Sequence, residues 1–268
     1  MKKLYEALFQ AFEGKSYTVT KAKQEWAGSE WEGITADFAA LSHFVAMKGK
    51  YYEAQQKCRF LLVGRAVNGW NSLPAGSAEE FGNAAQTQFD TVGFNWVKLK
   101  EGQLVNTDES YSLSHPFWNM AKSVWEQIHG PEDNPLWTDY IAWSNLYKIA
   151  PPHTDNPPKK MQNPQASICR KILKREIDTY KPTHILFLTG WDWFCDSPKK
   201  DRDFSPLLEE VRSIGRNARG NNIFVEGTAR YQADWGTANV VIACRPEFRT
   251  SQPMLEQILS VFQEMEGN

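Results

Sequence analysis

Four turns hold the residues best suited to chemistry: Gly64 to Trp70, Asn145 to Pro152, Gly190 to Phe194, and Cys244 to Arg249. Asn68 and Asn145 carry amides, each a donor and an acceptor in one planar group. Arg245 offers a guanidinium that can donate to a carbonyl oxygen or a phosphate. Gly64 and Gly69 let the backbone approach a ligand closely. Phe89, Phe94 and Trp96 supply flat faces that can stack on a ring. Together these groups suit a planar, hydrogen-bonding guest. Each also has a plainer role. Turns favour Asn, strand ends need their backbone satisfied, aromatics fill cores, and a lysine or arginine can face water or close an ion pair. Neither GxGxxG nor GxxxxGKS/T occurs, so the first turn is not a phosphate-binding fingerprint.

The elements behind these turns can be read from the apolar pattern. Phe60-Leu61-Leu62-Val63 is continuously apolar and bounded by Gly64, which suits a central strand buried on both faces. A strand ends in Asn145, a Pro-rich loop follows, a helix spans Gln165 to Tyr180, and a second strand runs from Thr183 to Thr189. That strand–helix–strand order is the pattern of a parallel sheet with a crossover helix. In such sheets ligands sit beyond the carboxyl ends of the strands. On the helix, Cys169, Ile172, Leu173, Glu176 and Ile177 share one side, and Lys171, Lys174 and Arg175 form a solvated face.

Elsewhere, Leu4, Leu8, Ala11 and Phe12 predict a helix over Met1 to Phe12, and a second helix is expected from Asp37 to Gln56. Residues 14–37 read as loop. Residues 71–114 are polar and without helical period, a long loop or insertion in which Phe94 to Leu99 and Gln103 to Thr107 can pair as a hairpin. Ser114-His115-Pro116 opens a helix ended by Gly130-Pro131. Further helices are expected over Phe204 to Ile214 and Met254 to Met265, and strands over Asn222 to Val225 and Asn239 to Ala243. The sum is one α/β domain over 1–268, with 1–57 as a helical cover. Its expected architecture is a three-layer α/β/α sandwich on a short, mainly parallel sheet.

With 41% hydrophobic and 23% charged residues the chain has the composition of a globular protein. Its net charge of −2 gives no global attraction to DNA or an anionic membrane, so nucleic-acid contact would need a local basic patch. No apolar run reaches transmembrane length. The start MKKLYEALFQAFEG is interrupted by Glu6 and Glu13, unlike a signal peptide. Cys58, Cys169, Cys195 and Cys244 form no CxxC pair and read as reduced thiols, so a cytoplasmic protein is expected.

The middle of the chain resembles the uracil-DNA glycosylase superfamily. The resemblance rests on Asn145-Leu146-Tyr147-Lys148, Pro151-Pro152, Asn156-Pro157, the helix with Cys169, and Lys181-Pro182 before ILFLTG. Gly64 to Gly69 falls at the family's first motif, and Arg245-Pro246-Glu247 at its His-Pro-Ser motif. The resemblance implies base excision in DNA repair. An extruded base would be bound, the Asn145 amide matching the N3–H and O4 edge of uracil and Phe94 or Phe89 stacking on it. Asn68 would position water and Arg245 would stabilise the leaving base. Arg65, Lys148 and Arg249 would contact phosphates. The chain departs from the family where Arg65 and Ala66 stand in the water-positioning region and Arg245 replaces the histidine. No iron–sulfur cluster is expected, because Ile149 stands where a second cysteine would be, and no other metal or cofactor is implied. A monomer acting on DNA, away from membranes, is the expectation. The alternatives are a non-catalytic module binding nucleic acid or protein, and a nucleoside hydrolase.

Overall fold

The computed structural model describes residues 1–22, 31–55, 57–66, 73–94, 96–100, 103–106, 115–130, 136–152, 156–195, 202–217, 222–247 and 251–267. In chain order its elements are α1 (Lys2–Phe12), β1 (Tyr17–Ala22), β2 (Trp31–Ala36), β3 (Ser42–His43), β4 (Met47–Lys48), β5 (Phe60–Gly64), α2 (Ala78–Asp90), β6 (Val97–Lys100), β7 (Gln103–Asn106), α3 (Pro116–His129), β8 (Ile141–Asn145), β9 (Ile149–Ala150), α4 (Lys159–Tyr180), β10 (His184–Leu188), α5 (Trp191–Phe194), β11 (Glu209–Ser213), β12 (Val225–Ala233), β13 (Gly236–Ala243) and α6 (Ser251–Glu266). The chain divides into two compact units, each discontinuous in sequence: 1–45, 65–90 and 145–175 form one, and 46–64, 91–144 and 176–268 the other.

The second unit is built on a mixed sheet in the order β11-β12-β13-β10-β5-β8-β4. The chain is therefore of the α/β class. β10 pairs in parallel with β5 on one side and β13 on the other. The flanks are antiparallel, β4 against β8 and β11 against β12 against β13. The antiparallel flank follows from the connection: Ala233 pairs with Gly236, which leaves only Asp234 and Trp235 to turn the chain, and so short a link cannot make a parallel crossover. All five residues of β5, β8 and β10 are buried; in β5 and β10 the continuous apolar runs Phe60 to Val63 and Ile185 to Leu188 suit two covered faces.

Beside the sheet lies an aromatic cluster. Trp118 contacts Trp96, Trp137 and Trp143 with ring centroids 5.7, 6.2 and 4.9 Å away, and Trp125 stacks on His129 at 4.9 Å. α3 supplies Trp118 and Trp125 from one face. It starts as the sequence requires, with His115 as the N-cap, its ring accepting from Phe117 N, and Pro116 at the first helical position.

In the first unit α1 packs on α2. Tyr5 and Phe9 meet Phe81, with ring centroids 5.8 and 6.1 Å apart. Phe38 stacks on His43 at 4.6 Å, and the Tyr5 hydroxyl donates to Phe44 O at 2.7 Å.

Several expectations are corrected. The helix expected from Asp37 to Gln56 is absent among the described residues 37–55; Asp37 caps only a short 3-10 turn, and residues 41–47 are all buried, which an extended segment covered on both sides achieves and a surface helix cannot. Residues 14–37 hold the hairpin β1–β2, and 71–114 hold α2 ahead of the expected hairpin β6–β7. Phe204 to Ile214 holds a 3-10 turn followed by the edge strand β11; Ile214, just past that strand, is 55% exposed, so the apolar spacing there marks no core stripe. α4 begins at Lys159 and carries Pro164 inside it, and β12 begins at Val225 and extends to Ala233.

Candidate functional site

In the sheet unit, parallel pairing sets the carboxyl ends of β5, β10 and β13 along one edge. Val63 pairs with Phe187 and Leu188 with Ala243, so Gly64, Gly190 and Arg245 follow at that edge. Gly190 N donates to Ala243 O at 2.9 Å. Gly190 has φ +75°, a left-handed conformation open to glycine at little cost, and it turns β10 directly into α5. Leaving this edge, the chain next enters the sheet on opposite sides: from β5 it goes to β8, and from β10 to the β11–β13 flank. In α/β sheets divergence of that kind marks the strand ends at which ligands bind, and here those strands are β5 and β10.

Trp191 is fixed at this edge from three directions. Its backbone N–H donates to Glu226 Oε2 at 2.6 Å. Its ring lies on Gly227, where a Cβ would come within 2.1 Å of Cζ3. The Arg216 guanidinium covers the ring at 4.7 Å. Glu226 sits where β12 bulges between Val225 and Gly227, and its other oxygen accepts from Asn217 N at 2.7 Å. This carboxylate is 5% exposed, so backbone donors replace its water. It ties the turn after β10 to the segment leading into β12.

Arg245 closes an ion pair with Glu247, a residue of the same turn. Its side chain keeps 29% of its surface exposed and Glu247 keeps 18%, so the pair is partly desolvated. Phe94 is 4% exposed and meets Trp96 with centroids 5.9 Å apart; its ring belongs to the aromatic cluster.

In the other unit Asn145, the last residue of β8, is 1% exposed. Lys148 is 0% exposed. Its Nζ donates to Asn145 O at 2.8 Å and lies 5.3 Å from the Phe44 ring centroid. The ammonium proposed for phosphate contact thus lies inside its unit. Gln165 holds the same turn from α4: its Oε1 accepts from Lys148 N at 3.1 Å and Ile149 N at 2.9 Å, and its Nε2 donates to Ile149 O at 2.8 Å. Cys169 Sγ donates to the Gln165 oxygen at 3.3 Å, one helical turn on. Among the described residues no group of three His, Cys, Asp or Glu side chains is placed to hold a metal ion. Tyr147 N donates to Arg65 O at 2.9 Å, which joins the turn after β8 to the first residue after β5. Phe89, near the end of α2, is 7% exposed. Asn68 and Arg249 lie outside the described residues.

His43 is the strongly perturbed histidine of this unit. Its Nε2 bonds Phe38 O at 3.0 Å, and its Nδ1 accepts from Leu73 N at 3.0 Å. That arrangement fixes the neutral ring with the proton on Nε2. Burial lowers its pKa to about 4.

Sequence reasoning passed over Glu226, Gln165 and His43. Glu226 carried one signal, an acid set directly behind the apolar Phe224-Val225. Gln165 carried none beyond standing at the expected helix start. The chain matches no family model, and no curated protein matches it either.

Proposed function

We propose that this chain is a uracil-DNA glycosylase-like protein, a three-layer α/β/α sandwich that takes an extruded base from DNA and hydrolyses its N-glycosidic bond. Water adds to the sugar carbon, the bond to the base nitrogen breaks, and the base leaves with the electron pair and is then protonated. One observation carries the reading: β5 and β10 are adjacent and parallel, and the chain leaves them toward opposite sides of the sheet. Ligands gather at strand ends of that kind. The Asn145 amide, held in a turn braced by Lys148 and Gln165, is the group that matches the polar edge of uracil.

A second reading, base binding without cleavage, is favoured by the Arg245–Glu247 pair. A guanidinium neutralised by its own turn is a poor donor to a leaving anion. Single-stranded and mismatched uracil-containing oligonucleotides separate the two readings. The first predicts base release that Asn145→Ala abolishes. Tight binding with no release of any deaminated or alkylated base establishes the second. Neither binding nor release ends both.

A further inference from the structure

The basic surface that a chain of net charge −2 would need for nucleic acid lies on α4. Between residues 159 and 175 the helix carries Lys159, Lys160, Arg170, Lys171, Lys174 and Arg175 and no Asp or Glu, so the rest of the chain carries −8. The exposed positions Lys160, Asn163, Ser167, Lys171 and Lys174 follow one another at three- and four-residue steps, which is a single stripe along the helix. An ordinary solvated face mixes both signs of charge; this one is cationic or neutral throughout. At 1.5 Å per residue the stripe from Lys160 to Lys174 is about 21 Å long, comparable to six steps of a nucleic-acid strand at 3.4 Å each.

A second observation lies at the start of the stripe. There Lys160, Asn163 and Pro164 line an open basin of about 540 Å³ together with Lys15, Ser16 and Tyr17. Every polar side chain in that lining can donate a hydrogen bond, and none is a carboxylate.

We infer that this stripe and basin form a contact surface for the phosphodiester backbone of a nucleic acid. The chemistry is sequence-independent, because ammonium and hydroxyl groups meet phosphate oxygens and read no base edges. An anionic membrane is the poorer partner. A membrane-surface helix sinks an apolar face between the lipids, whereas the apolar side of α4, with Met161, Ala166, Cys169, Ile172 and Leu173, is buried in the fold. The surface stands apart from base excision and does not depend on it.

The test is binding of the full chain to fluorescein-labelled DNA without uracil, single-stranded and duplex, by anisotropy between 50 and 200 mM salt. Lys160→Glu/Lys171→Glu/Lys174→Glu is the variant and Lys160→Gln/Lys171→Gln/Lys174→Gln the neutral control, each checked for unchanged thermal unfolding. Removing three phosphate contacts lowers the duplex salt slope by about 2.7, so the wild-type affinity falls about 40-fold more than the variant's over this range. The neutral control loses the same slope without the added repulsion. Wild-type protein that fails to bind DNA at 50 mM salt, or a variant with unchanged affinity and slope, overturns the inference. So does binding to phosphatidylserine vesicles with none to DNA.

Discussion

Lys148 Nζ lies 2.8 Å from the backbone oxygen of Asn145, and neither residue meets solvent. The lysine braces the turn that follows β8 through its backbone. Replacing it by methionine keeps the apolar stem and leaves the Asn145 carbonyl without this donor. Lys148→Met is expected to lose about 1–3 kcal/mol of stability, the cost of leaving a buried acceptor unmet. Urea denaturation reads it, and an unchanged midpoint would show that the bond contributes nothing.

His43 predicts how stability depends on pH. Its folded pKa of about 4 lies below the ordinary 6.5, because burial disfavours the charged ring. Between those values the unfolded chain takes up a proton that the folded chain refuses. The stabilisation is complete above pH 6.5 and disappears as the pH falls toward 4, a total of roughly 3 kcal/mol. His43→Gln retains one donor and one acceptor but does not titrate. Its urea midpoint is expected to change less than the wild type's over this interval.

Gly227 predicts a steric effect at the sheet edge. A side chain there meets Trp191 Cζ3 at 2.1 Å and the Arg212 carbonyl oxygen at 2.8 Å. Gly227→Val must move the indole off the strand and stretch the Glu226 bond to Trp191 N. A loss of about 1–3 kcal/mol is expected from overpacking, and Gly236→Ala, where a Cβ meets nothing within 4 Å but φ is +129°, serves as the strain-only comparison.

The sheet centre was legible because its strands are apolar without interruption: Phe60 to Val63 and Ile185 to Leu188 can only be buried on both faces. The crossover helix was legible from Cys169, Ile172, Leu173 and Ile177, all at 0% exposure. Its start was not, because Pro164 reads as a boundary although α4 runs through it. α2 escaped notice because two of its four buried positions are Gly82 and Ala85, which contribute little hydrophobic signal between Phe81 and Phe89. Leu207, Leu208, Val211 and Ile214 imitate a helical stripe, yet only Leu208 is buried, and the pairing that makes β11 a strand comes from β12. Among the site residues, the burial of Lys148 and the pairing of Arg245 with Glu247 depend on tertiary neighbours and on the course of a turn, neither of which residue spacing encodes.

Base extrusion is the step shared by cleavage and by binding alone, and 2-aminopurine fluorescence measures it most directly. The probe base is set beside a uracil–guanine mismatch in a duplex, where stacking quenches it. Wild-type protein is expected to raise the emission on binding, and Asn145→Ala to bind the duplex with little rise. Full occupancy of the duplex by the wild type with no change in emission would contradict the account.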